Sequence, residues 1–77
     1  MILNNEEQRY FNSEGKDTDG FFYKFGPFTK KEAEDFINMI VKNHGNEILG
    51  QKIIQLKSNH LMPVVPPKAL YVKVYVM

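Results

Sequence analysis

The period of the apolar residues changes once in this chain, at Gly26-Pro27, and that change constrains the fold more than any other feature. Before it, FFYKF (residues 21–25) alternates, with Phe21, Tyr23 and Phe25 on one side and Phe22 and Lys24 on the other, as in a strand. After it, Ala33, Phe36, Ile37, Ile40 and Val41 fall on one helical stripe, while Lys30, Lys31, Glu34, Asp35, Asn38 and Lys42 face outward. Pro27 fixes its own φ and moves Gly26 away from the helical region, so the strand is expected to end there and not to run on as a central strand. Thr29 and Glu32 are spaced as a capping box, and Phe28 is placed to staple onto Ala33. A helix over residues 30–43 follows. Asn43-His44-Gly45 stops it, with Gly45 or Asn43 in the left-handed region and His44 at the negative end of the dipole.

Upstream, QRYFNSE (residues 8–14) reads as a second strand, and the loop from Gly15 to Gly20 as the hairpin turn between the two. Glu14, Asp17 and Asp19 raise a calcium reading, but Lys16 stands where a ligand is wanted and the loop's twelfth position is Phe28. Plain turn chemistry explains the loop. Downstream, residues 46–58 admit a short helix ending near Gly50 or a strand bulged at Gly50, and a strand over residues 51–57 is preferred because Gln and Lys alternate with Ile and Leu. ALYVKVYVM (residues 69–77) is a strand with Leu70, Val72, Val74 and Val76 on one face and Tyr71, Lys73, Tyr75 and Met77 on the other. These elements assemble as one α+β domain, ββαββ in order, with a single amphipathic helix on an antiparallel or mixed sheet.

A chain of 77 residues buries only about 60% of its unfolded surface, so stability is marginal and association with a partner is expected to add to it. Ten residues are Phe or Tyr, enough for a core. Without cysteine there is neither a disulfide framework nor a thiolate metal site. No span is apolar enough for a membrane helix and no leader pattern opens the chain, so a cytoplasmic protein is the expectation.

The stretch YKFGPFTKKEAEDFI (residues 23–37) resembles the opening of SPOR-type repeats, a strand, a Gly-Pro-Phe corner and a Glu-Ala-rich helix. That family's βαββαβ plan needs a second long helix, for which only residues 46–50 remain, and its peptidoglycan binding is not carried over. The richness in Asn, Lys and Ile and the small size resemble the style of phage-type accessory proteins.

No nucleotide loop, metalloprotease motif, nucleophile elbow or catalytic cysteine is present, so an enzyme, a cofactor and a metal are not expected. His44 and His60 stand alone, without a motif around them. The leading expectation is a non-enzymatic protein-binding module, an inhibitor or adaptor. It would use Leu61, Met62, Val64 and Val65 of the proline-rich loop together with Tyr71, Lys73 and Tyr75, or form a homodimer by pairing its C-terminal strand or its sheet face. The alternative is single-stranded nucleic acid bound on Tyr71, Lys73, Tyr75, Phe22 and Lys24. A net charge of +1 with interspersed signs weighs against that alternative.

Overall fold

The structure, a computed structural model, describes residues 1–55 and 68–77. Its order is α1 (Asn5–Tyr10), β1 (Phe11–Asp17), β2 (Gly20–Phe28), α2 (Lys30–His44), β3 (Ile48–Gln55) and β4 (Leu70–Val76). All strand pairs are antiparallel, in the spatial order β1-β2-β4-β3. The fold is therefore α+β, but αββαββ in order, because residues assigned to the first strand begin as a helix. Among the described residues no helix is long and apolar enough to cross a membrane.

Helix α2 forms where its stripe and cap demand it. Thr29 Oγ1 accepts the Glu32 backbone N–H at 3.2 Å, and Glu32 Oε1 accepts the Thr29 N–H at 3.0 Å. Ala33, Phe36 and Ile40 are buried against Phe25 and Phe28 of β2 and Val72 and Val74 of β4, which makes the core a single layer between helix and sheet. Phe36 is its centre, with ring centroids 4.7 Å from Phe25 and 5.1 Å from Phe28. Ile37 is half-buried, whereas Val41 is exposed although it shares the apolar stripe.

Three local expectations are corrected. Strand β2 does not end at Gly26-Pro27 but continues to Phe28, and it lies inside the sheet between β1 and β4. A bulge between Phe25 and Phe28 takes Gly26-Pro27 out of the ladder with β4, so the missing proline N–H costs no cross-strand bond. Gly26 is required there: its φ is +142°, and a Cβ would lie 2.7 Å from Tyr71 Cδ1. Gly45 closes α2 in the right-handed region (φ −52°), not the left-handed one. The turn is completed by Glu47 N–H donating to His44 O at 2.9 Å, and glycine is needed because a Cβ would meet Val41 O at 2.8 Å. Strand β3 begins at Ile48, earlier than residue 51, with a bulge between Ile48 and Gly50 in place of any helix.

Homodimer formation through the C-terminal strand would need that strand at a sheet edge, but β4 is paired on both sides, and so its backbone is not free to template a second chain. Its Leu70, Val72, Val74 and Val76 belong to the core side, as the alternation implies.

Helix α1 was not anticipated. Six residues are too few to be helical on propensity. A capping box of the same kind as that of α2 starts it, with Asn4 Oδ1 accepting from Glu7 N–H at 2.8 Å and Glu7 Oε1 accepting from Asn4 N–H at 2.8 Å. Tyr10 then seals the core, its ring centroid 5.2 Å from Phe28 and 5.7 Å from Phe36.

Candidate functional site: the helix-free face of the sheet

Because α2 covers one side of the sheet, every second residue of each strand turns to the other side, where no helix lies among the described residues. There the register sets Ser13, Lys24, Lys73 and Lys52 directly opposite one another across all four strands. Three lysines thus form a row across β2, β4 and β3. A second row, Gly15, Phe22, Tyr75 and Gly50, runs beside it, and Tyr71 lies on the row's other flank.

Like charges directly opposite in a sheet repel, and the surrounding groups answer that repulsion. Each ammonium sits over an aromatic ring: Lys73 Nζ is 4.3 Å from the Phe22 centroid, Lys24 Nζ 4.7 Å from Tyr71 and Lys52 Nζ 5.6 Å from Tyr75. Phe22 and Tyr75 meet edge to face at 6.0 Å. The end of β1 and the turn after it supply the counter-charges. Asp17 Oδ2 accepts from Lys73 Nζ at 3.1 Å and from the Tyr75 hydroxyl at 2.8 Å, and Asp19 Oδ2 lies 3.5 Å from Lys52 Nζ. Burial pushes the Asp17 carboxyl up, but the Tyr75 hydroxyl, the Asp19 backbone N–H and the Lys73 ammonium together hold it down at about 2. The carboxylate is therefore a fixed negative charge. Among the described residues, no carboxylate is paired with Lys24.

The structure thus gathers Phe22, Lys24, Tyr71, Lys73 and Tyr75 on one face, with Tyr75 buried beneath its neighbours. Lys52, Asp17 and Asp19 complete that face and were missed as members of it. Only Asp17 and Asp19 carried a sequence signal, as turn residues. Asp17 Oδ1 does make that turn, accepting the Asp19 N–H at 2.8 Å, while its other oxygen serves the lysine row. Among the described residues no three His, Cys, Asp or Glu side chains converge as metal ligands. Leu61, Met62, Val64, Val65 and His60 lie outside the described residues.

A second polar cluster ties the two helices together. Glu7 is 0% exposed, and its carboxylate oxygens lie 2.8 and 3.0 Å from His44 Nε2, while Asn43 Nδ2 donates at 3.1 Å. His44 Nδ1 lies 3.4 Å from Glu47 Oε2. With a carboxylate at each ring nitrogen, His44 clamps α1 to the C-terminal turn of α2, beside a hollow of about 530 Å³ that Ile2, Lys42 and Glu47 help to line. Burial pushes the Glu7 carboxyl up, but the Asn4 backbone N–H and the His44 and Asn43 side chains outweigh it and leave it below its ordinary value.

No family model, curated protein or solved structure matches this chain.

Proposed function

We propose that the protein is a small non-enzymatic binding module, an inhibitor or adaptor, that engages an acidic protein surface through the helix-free face of its sheet. The row Lys24, Lys73, Lys52 is the observation that carries this reading. A cross-strand row of like charges costs stability, and Lys24 retains a positive charge that Asp17 and Asp19 do not neutralise. Phe22 and Tyr71 flank the row with the half-buried aromatic surface that protein interfaces favour. The test is affinity capture with the whole chain from lysate of its source, comparing wild type with Lys24→Glu. A direct partner should bind purified protein at least about tenfold more weakly after the charge reversal, since a close interfacial charge pair carries about 1.5 kcal/mol or more. A partner indifferent to Lys24→Glu and to Lys52→Glu would sink the reading.

Single-stranded nucleic acid is the second reading, favoured by the convergence of Phe22, Lys24, Tyr71, Lys73 and Tyr75 on one face. It ranks lower because each ring already carries a lysine of the chain's own and Asp17 places a negative charge at the centre. Anisotropy of a labelled oligothymidine at about 50 mM salt, where phosphate contacts are strongest, separates the two.

A further inference from the structure

Strand β3 is an outer strand of the sheet, and the direction of its backbone groups can be worked out. Met77 N–H donates to Glu47 O at 3.2 Å, so the backbone of residue 77 points towards the β3 side. Alternate residues of an antiparallel strand point the same way, which turns Tyr75, Lys73 and Tyr71 towards β3 as well. Their partners Gly50, Lys52 and Ile54 are consumed in that ladder. The N–H and C=O groups of Gln51, Ile53 and Gln55 therefore point outward, along an edge that no strand covers among the described residues.

The two edges of the sheet are guarded unequally. Strand β1 (FNSEGKD) is built, apart from Phe11, mainly of residues that disfavour strands, and its ladder is broken between Phe11 and Ser13. Strand β3 (ILGQKIIQ) is β-prone, and its one charge, Lys52, leans to the helix-free face near Asp19. Ile53, in the middle of the outward run, is 40% exposed on the helix side, opposite buried Val72.

We propose that the outer edge of β3 pairs antiparallel with the same edge of a second copy, forming a twofold dimer with one eight-stranded sheet. Five centrings, on residues 51 to 55, pair outward groups with one another; only the one on Ile53 uses all three, and those on Ile54 and Gln55 leave Gln51 without a partner among the described residues. Centring on Lys52 opposes two like charges, and centring on Gln51 draws the bulge before Gly50 into the ladder. Centring on Ile53 avoids both. It pairs Ile53 with its own copy and Gln51 with Gln55, and sets Lys52 opposite Ile54. A twofold axis normal to the sheet keeps both helices on one side and brings both lysine rows onto the other. Since β1 is guarded, the assembly closes at two copies and does not grow into a fibre. The pairing goes beyond the proposed partner binding and does not depend on it.

A single pair of strands buries less than the roughly 1,200 Å² of a standard interface, so a weak dimer, dissociating above about 1 µM, is expected. Sedimentation velocity on the full chain should show a monomer–dimer equilibrium, weakened at least about tenfold by Ile53→Lys, which sets like charges opposite each other. The chain has no cysteine, so Ile53→Cys reports the register directly. Paired Cα atoms about 5.5 Å apart permit a disulfide, and mild oxidation should give covalent dimer. Lys16→Cys on β1 should give none. A wild-type monomer at about 500 µM overturns the proposal, as does a dimer that Ile53→Lys leaves intact or that Lys16→Cys traps instead. Circular dichroism of the reduced variants excludes misfolding as the cause. Lys24→Glu should leave the dimer unchanged, so failure of either proposal is recognised separately.

Discussion

Replacing Glu7 by Gln asks whether a charge holds α1 in place. The carboxylate is wholly buried and meets the Asn4 N–H, the Asn43 amide and His44 Nε2 between 2.8 and 3.1 Å. Gln still completes a capping box, so the substitution keeps the cap and removes the charge. With its oxygen kept on the Asn4 N–H, the new NH₂ group takes the place of Oε2 and faces the Asn43 amide donor, leaving donor against donor. Losing one hydrogen bond to a buried charged acceptor costs about 1.5–3 kcal/mol, and about 2 kcal/mol is expected. A domain of this size has roughly 4–11 kcal/mol in total, so the fold survives with a fraction of its margin gone. The melting temperature should fall by about 8–16 °C, at roughly 4–8 °C per kcal/mol. Urea and thermal unfolding followed by circular dichroism at pH 7 measure the loss, and a double-mutant cycle with His44→Gln should show coupling of about 1 kcal/mol or more. The pH arm has a definite sign. The folded Glu7 carboxyl lies below its ordinary 4.5, so its contribution is complete above that pH and disappears as pH falls through the folded value. Glu7→Gln should therefore flatten the acid limb of the stability curve. A loss under about 0.5 kcal/mol with no coupling, the size of an exposed ion pair, would refute the clamp and leave α1 held by Tyr10 and Leu3 alone.

Asp17→Asn should also reduce acid sensitivity: its folded value of about 2 lies below the ordinary 3.8, so it stabilises above pH 3.8 and loses that effect as pH falls towards 2, as acid titration of wild type and variant would show. Gly45→Ala, which at a right-handed φ would ordinarily stabilise, should instead cost about 1–2 kcal/mol, because its Cβ is forced to 2.8 Å from Val41 O; urea midpoints check this. Gly26→Ala combines φ +142° with contacts of 2.7 Å to Tyr71 Cδ1 and 2.9 Å to Leu70 O, and should cost about 3 kcal/mol or prevent folding, read from the same unfolding curves. Thr29→Ala removes the cap of α2 and should cost about 1 kcal/mol in the same assay.

What the sequence makes legible here is whatever is encoded within one turn or one strand. The Thr29/Glu32 box, the Phe36-Ile40 stripe and the alternation of β4 are each local patterns, and each recurs in the structure. The larger misses depend on distant partners. Helix α1 has no apolar stripe and persists through Glu7 and His44, 37 residues apart, although Asn4-x-x-Glu7 repeats the cap spacing of Thr29-x-x-Glu32. Strand β2 passes Gly26-Pro27 because β4 tolerates a bulge opposite them. On the site, Tyr71, Lys73 and Tyr75 share a face by strand alternation alone. That Lys52 joins them depends on the β3/β4 register, which no short-range pattern records.

The lysine row itself bears on why this face should be read as a surface for contact. A sheet whose only task was to back α2 would gain stability from β-branched or paired residues at positions 24, 73 and 52. Instead it carries three lysines there and spends Asp17, Asp19, Phe22, Tyr71 and Tyr75 on accommodating them. Such local conflict, compensated by neighbours, is where sequences serve something besides folding. The consequence can be measured without knowing the partner. Lys24→Gln removes one of two like charges facing each other across β2 and β4, and with it the contact of the ammonium with the Tyr71 ring, worth about 0.5–1 kcal/mol near the surface. Relief of repulsion is of similar size and opposite sign, so stability should change by less than about 0.5 kcal/mol. A large loss of stability would make Lys24 a structural residue and remove the ground for assigning this face to binding.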